Sequence, residues 1–544
     1  MKNSTVKMSI LFLSAVVMLN GVAFARPHAS SNQAATVASS SPTTVITAAQ
    51  IDALVEKTMK TFNVPGISLA VIKDDQIVHS KGYGVRSIKT KLPMEANTLV
   101  GIASNSKAFT AAALAILVDE KKLQWNDKVT NIIPEFKLYN PYVTEEFTIM
   151  DLMTHRSGLG LGAGDLMFFP DGSDFTLKDV IHNLRYLKQV SSFRSKYDYD
   201  NNLYIVAGEV VKRVSGLSWE EFIEQKIMKP LAMQDSAASI TRLKNHDNVV
   251  DPHVPVDGVL QVVPFRPNEV INAAGGIYSN IVDMSKWVRM QLNKGSYGAE
   301  NKQRLFSERV QHDMWSPQTI LQSGPNTGPY NTHFSAYGIG WGLSDVKGYK
   351  QVTHTGGLLG MVTQVTLIPE LKLGIIVLTN QEAGVAFNAI TNTIKDSYFG
   401  MPAVDRVAEY NERLLKRNTE NDKEVAEIWK AIEAQQKVSV NIKVDYSNYL
   451  GTYKDDWFGE ISIRLEKGKM IFASKRSPAL TGEMRFYKGN TFVVKWHDRS
   501  LNADAFANFS LDTEGKPNGL TMKAISPATD FSFDFHDLDF KPVK

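Results

Sequence analysis

Apolar positions along this 544-residue chain change their spacing at several points, and each change marks a new element. Ile51, Leu54, Val55, Met59 and Phe62 recur at helical intervals, which predicts an amphipathic helix ended by Pro65-Gly66. Ile67 to Ile72 and Gln76 to Tyr83 read as strands of a hairpin about Asp74-Asp75. Ala108 to Val118 is apolar on every face, the pattern of a buried helix, and is too short to cross a bilayer. Val362 to Ile368 and Leu373 to Thr379 form a second strand pair around Pro369-Glu370, and the region between the two pairs is helical and rich in turns. The fold class expected is α/β (α+β): an antiparallel sheet flanked by helices, closed by the two ends of a domain over residues 47–400, with a helical subdomain inserted.

Residues 401–437 are charged and helix-prone, in two stretches from Glu409 to Arg417 and from Lys423 to Lys437, and read as a connector. Beyond them the period falls to two. Ile461, Ile463 and Leu465 alternate with Ser462, Arg464 and Glu466, and Phe531, Phe533 and Phe535 alternate with Ser532 and Asp534. Residues 438–544 are therefore expected to form a small antiparallel barrel or sandwich, with a lipocalin-like β-barrel the favoured form.

The first residues carry an export pattern: Lys2 and Lys7, an apolar stretch from Ile10 to Leu19, and Ala23-Phe24-Ala25 as a cleavage site. Residues 1–25 are read as a signal peptide and 26–46, small and polar, as a flexible tether. A periplasmic or secreted protein with no membrane span after cleavage is expected. The chain has no cysteine, which excludes disulfides and thiolate metal sites. A net charge of +3 is too small to point to nucleic acid or a membrane surface, leaving a small molecule or peptide as partner.

The chemistry begins at Ser104-Asn105-Ser106-Lys107, at the head of the buried apolar stretch. Serine and lysine one helical turn apart share a face, with Cβ atoms roughly 5–6 Å apart. Desolvation lowers a lysine's pKa, and a neutral amine beside a hydroxyl takes its proton to leave a nucleophile. Ser-x-x-Lys also occurs at Ser4 and Ser344, but only Ser104 opens a core helix.

A serine nucleophile also needs a proton relay and an oxyanion pocket. Tyr199-Asp200-Asn201, on a polar loop before the apolar stretch Leu203 to Val211, offers a phenol whose pKa a neighbouring cation would lower, and an amide to hold lysine and substrate. The same Tyr-x-Asn spacing at Tyr446 is read as the start of a barrel strand. Val352 to Gly360 reads as an edge strand running into glycines, where Thr355, Gly356 and Gly357 allow close approach of substrate and His354 is an electrophilic or carboxylate-binding group. His-Glu-x-x-His, the phosphate-binding loop and the Gly-x-Ser-x-Gly elbow are all absent, and Gly158 to Gly162 lacks the strand and helix of a dinucleotide site.

Taken in order, Ser104-Asn105-Ser106-Lys107, Tyr199-Asp200-Asn201 and His354-Thr355-Gly356 resemble the three motifs of the serine β-lactamase and penicillin-binding protein superfamily. The Tyr-x-Asn element is similar to the class C β-lactamase, DD-peptidase and esterase branch, as are Asp151 to Leu159, Ala274 to Ser279 and Leu367 to Asn380. The resemblance implies a β-lactamase/transpeptidase-like fold and an acyl-enzyme mechanism without cofactor or metal. Ser104 would attack, Lys107 and Tyr199 would move the proton, Asn201 would orient substrate and lysine, and the N–H groups of Ser104 and Gly357 would form the oxyanion hole. The segment around His155 is read as a structural turn packing the site.

Typical β-lactamases have lysine where His354 stands, and His-x-Gly there, with a C-terminal barrel, looks more like the D-aminopeptidase and D-amino-acid-specific peptidase members, or the esterases. A serine hydrolase of peptides with D-residues, or of related amides and esters, is expected. The alternatives are a true β-lactamase and an acylated or non-catalytic penicillin-binding sensor. The barrel would cap the cleft or help assemble a homo-oligomer.

Overall fold

The computed structural model describes residues 45–266, 268–324, 328–439 and 445–543. The expected signal peptide, almost all of the tether and the Ser4 motif lie outside the described residues.

The first helix, Ala48–Phe62, is opened by a Thr47–Gln50 capping box and stopped by Asn63 in the left-handed conformation, two residues before the expected Pro65-Gly66. The hairpin strands Gly66–Lys73 and Gln76–Gly84 turn through Asp74 and Asp75, both with positive φ as a tight hairpin turn requires. They join Leu373–Thr379, Met361–Ile368, Tyr349–Leu358, Gly342–Val346, Ser335–Tyr337 and Thr319–Leu321, in that spatial order, in one antiparallel sheet of eight strands starting from the Gln76–Gly84 edge. Ile67, Leu69 and Val71 face the helices Ala48–Phe62 and Gly384–Tyr398, whereas Ala70 and Ile72 face the core around Phe109 and Trp287. Both faces are covered at Gly66–Lys73 and Leu373–Thr379, which is why these two strands are apolar over most of their length instead of alternating with polar residues.

Ser106–Asp119 runs through the second of these cores, and from Thr98 to Val118 every residue but Ser104 is buried. Phe109 stacks on Trp287 with ring centroids 3.9 Å apart, fixing it against the helix Ile281–Leu292. Among the described residues no helix is long and apolar enough to cross a membrane.

The connector is one continuous helix, Arg406–Ser439, with Ile432 packed on Val493 and Ile525 of the barrel. Two expectations about the C-terminal half are corrected. The alternating phenylalanines 531–535 are not a strand but a turn leading into the short 3-10 helix Phe535–Asp537. Their alternation arises because Phe533 and Phe535 are buried in the hydrophobic core while Ser532 and Asp534 bond to the first domain. Eight strands from Gly451–Asp455 to Asp539–Pro542 close into a sequential antiparallel barrel. Tyr446 lies in a 3-10 helix preceding the first of them, not in the strand. The barrel docks through Asn183 Nδ2, which donates to Trp457 O at 2.7 Å, and through Arg476, which pairs with Asp174 and Asp179 while lying over the Phe175 ring.

Candidate active site

Each member of the Ser104–Lys107 run has its own anchor. Ser104 sits in the 3-10 turn Ala103–Asn105, just ahead of the α-helix that begins at Ser106 and not within it. Ala103, a buried non-glycine residue, holds a φ of 50°, a sparsely populated conformation that the surrounding packing must impose. Asn105 Nδ2 donates to Thr363 Oγ1 at 2.8 Å, tying the turn to the sheet. Ser106 Oγ accepts from the Ile277 N–H at 3.1 Å, tying the helix to the segment that carries Ala274.

Lys107 is fully buried. Its Nζ lies 2.7 Å from Asn201 Oδ1, 2.9 Å from Ala274 O and 3.1 Å from Ser104 Oγ. Burial lowers its pKa to about 7, against the opposing pull of Asp165 and Asp200. The two carbonyl oxygens only accept, so a neutral amine gives them its two N–H bonds and turns its lone pair to the Ser104 hydroxyl. Tyr199 lines the same cleft as Ser104, and its ring centroid is 4.8 Å from Lys107 Nζ. The expectation that a cation would lower the Tyr199 pKa is corrected: burial raises it well above the ordinary phenol value, so it remains a neutral phenol that can donate or relay a proton.

His354 lies on the Tyr349–Leu358 strand. This is an interior strand, not the edge strand expected, but only residues 349–353 pair with Gly342–Val346, while 354–358 pair solely with Met361–Val365 on the other side. The second half thus presents a free backbone edge. A Cβ at Gly356 would come within 2.3 Å of Ile102 O, whereas one at Gly357 would meet nothing within 4 Å. Glycine at 356 lets the strand lie against the Ser104 turn, and glycine at 357 leaves the cleft open.

His354 Nδ1 donates to Thr355 O at 2.6 Å, and its Nε2 accepts from the Tyr337 hydroxyl at 2.8 Å. Burial, with Lys107 next in importance, lowers its pKa to about 3. His354 is thus a neutral imidazole with both nitrogens engaged.

Ser104, Tyr199, Asn201 and His354 to Gly357 all open onto one cleft of about 570 Å³, which Phe531 of the barrel also lines. Lys107 lies behind Ser104. Other residues complete the site, His155 among them in the packing turn expected of it. Asp165 Oδ2 accepts from Asn201 Nδ2 at 2.9 Å. His155, with a positive φ, accepts the Asp200 N–H at 3.0 Å and packs its ring against Tyr199, Tyr204 and Tyr337. Asp200 was visible as the middle of the Tyr199 motif, and its carboxyl is pushed up to about 7 by burial. No local pattern marks Asp165 or Tyr337.

The chain matches the Beta-lactamase family model over residues 51–397 and a domain of unknown function (DUF3471) over residues 438–542. It is 27% identical to "Unguisins hydrolase ungD" of Aspergillus violaceofuscus over 76% of each chain. It is 26% identical to "Protein flp" of Staphylococcus aureus over 61% of this chain and 62% of that protein. An octameric penicillin-binding protein homologue from Pyrococcus abyssi shares the fold over 87% of this chain and 97% of its own, with a TM-score of 0.57 and 21% identity. A class C beta-lactamase does so over 64% and 94%, with a TM-score of 0.52 and 18% identity. With a buried lysine aimed at a serine and a family match spanning most of the chain, this protein belongs to the Beta-lactamase family, within the serine hydrolase superfamily of β-lactamases and penicillin-binding proteins.

Proposed function

We propose that the chain is a serine acyl hydrolase that cleaves peptides with D-residues, or related amides and esters, through a Ser104 acyl-enzyme. The observation that carries this reading is the set of three contacts on Lys107 Nζ, which leaves a neutral amine one free lone pair, directed at Ser104. Lys107 takes the hydroxyl proton as Ser104 Oγ bonds to the substrate carbonyl carbon, and the carbonyl electron pair moves onto oxygen. The N–H groups of Ser104 and Gly357 stabilise that oxyanion. The neutral Tyr199 phenol passes its proton to the leaving amine or alkoxide and is reprotonated from Lys107. Water then attacks the acyl carbon by the same relay, releasing the acid and restoring Ser104.

Relatives named as hydrolases of unguisins support hydrolysis as the outcome. The neutral His354 gives a β-lactam carboxylate no fixed positive charge, which favours the peptide and ester reading over a β-lactamase. The reading includes export, from the pattern before Arg26, and a barrel that caps the cleft through Phe531.

A panel of D-amino-acid amides, short esters and a chromogenic cephalosporin tests substrate class. Ser104→Ala is expected to abolish turnover of whichever amide or ester is cleaved, and intact-protein mass spectrometry with a fluorophosphonate should show one adduct, on Ser104. Full hydrolysis by the alanine variant would overturn the reading.

A further inference from the structure

The barrel reaches the candidate catalytic centre through the segment Phe531 to Asp534. Ser532 Oγ donates to Asp165 Oδ2 at 2.8 Å, across 367 residues of chain. The same carboxyl oxygen accepts from Asn201 Nδ2 at 2.9 Å, and Asn201 Oδ1 in turn takes Lys107 Nζ at 2.7 Å. Ser532, Asp165, Asn201 and Lys107 are all buried, so water does not compete for these bonds.

The turn bearing Asp165 is clamped from both sides. The Asp534 carboxyl accepts from the Gly164 N–H at 2.6 Å and from the Leu166 N–H at 3.3 Å. A Cβ at Gly162 would lie 2.7 Å from Phe531 Cδ2, so the turn is pressed against the barrel. On its other side the Gly162 N–H donates to Tyr199 O at 2.8 Å, and Asn202 Nδ2 donates to Ala163 O at 2.8 Å.

The Asn201 amide has two orientations related by a half-turn, and only one puts its oxygen on Lys107. Asp165, as an acceptor on the Nδ2 side, selects that orientation. Its other oxygen, Oδ1, is buried without a partner among the described residues, so among them Ser532 is the one side chain besides Asn201 that donates to this carboxyl.

We propose that Ser532, on the C-terminal barrel, is a positioning residue for the catalytic lysine of the first domain, acting through Asp165 and Asn201. The inference rests on the reading of Lys107 as general base and Ser104 as nucleophile. It makes the barrel part of the apparatus that aims the base, in addition to a cap over the cleft.

The test uses the full-length protein and a small ester, p-nitrophenyl acetate, whose acetyl group is too small to need the barrel for binding. Ser532→Ala is expected to lower kcat/KM about five- to tenfold, the size of one lost buried hydrogen bond. Ser532→Thr, which keeps the hydroxyl, is expected to recover most of that loss. Placed on Asp165→Ala, Ser532→Ala should cost nothing further, because the path through Asp165 is already broken. Wild-type activity in Ser532→Ala, no recovery in Ser532→Thr, or the same loss repeated on the Asp165→Ala background would each overturn the proposal. Ser104→Ala in the same assay separates the two readings. If it retains hydrolysis, the acyl-enzyme reading fails. If it is inactive while Ser532→Ala is unimpaired, only the positioning role fails.

Discussion

Asn201 Oδ1 lies 2.7 Å from Lys107 Nζ, joining the Tyr199 loop to the buried nucleophile helix across 94 residues of sequence. The amide holds the amine without adding a charge, so burial governs the lysine's ionisation. A carboxylate in its place would hold it just as well and keep it protonated.

The first prediction concerns pH. Lys107 is charged below its lowered value of about 7 and neutral above it. Only the neutral form accepts the Ser104 proton, so kcat/KM for an ester should rise as pH passes through about 7 and then level. Lys107→Arg, cationic at every working pH, should lose about 10²–10⁴-fold at all of them. A wild-type profile flat from pH 5 to 9 would remove the lysine as general base.

Asn201→Asp should move that acidic limb upward. A carboxylate beside the amine favours the ammonium form and shifts such a group by about one to three pH units. The pH–rate profile of the variant is the measurement, and a limb that stays in place or moves down would show that Asn201 does not control the lysine's proton.

Adjacent glycines should behave in opposite ways. Gly356→Ala would drive a methyl group into Ile102 O and Thr363 Oγ1, and is expected to cost about 1–3 kcal/mol of stability and to lower kcat by pushing the strand off the Ser104 turn. Gly357→Ala points into open space and should fold normally, its effect confined to substrate affinity. Thermal melts and kinetics on the pair decide, and equal melting losses would contradict the geometry.

Asp200 supplies a stability prediction. Its folded carboxyl is raised from 3.8 to about 7 by burial, so it binds its proton more tightly in the fold than in the unfolded chain. Its contribution is complete below about pH 3.8 and is lost as pH rises through about 7. Asp200→Asn has no proton to lose, and its melting temperature should fall less between pH 5 and pH 8 than that of the parent protein. An unchanged difference would assign the pH dependence to other groups.

Much of this protein was legible in order along the chain. The Ala48–Phe62 helix, the Asp74-Asp75 hairpin, the buried Ser106–Asp119 helix and the barrel strands follow from local periodicity, which acts through backbone geometry over a few residues. Ser104 and Lys107 were legible for the same reason: one helical turn brings them together wherever the helix lies. The ionisation of Tyr199 and His354 was not. It depends on how many protein atoms surround each ring, and burial outweighs the neighbouring charges in both.

The sequence by itself determined the periodicities, the serine–lysine pair and the spacing of its companion motifs, because these rest on short-range stereochemistry. Only the tertiary structure decided that Ala274 O and Asn201 Oδ1 occupy two sides of the lysine and leave the third to Ser104. It likewise decided that Ser532, in a stretch whose alternation mimics a strand, meets Asp165 beneath the site. Contacts between residues hundreds of positions apart are set by how the sheet, the inserted helices and the barrel close on one another, and no local pattern records that closure.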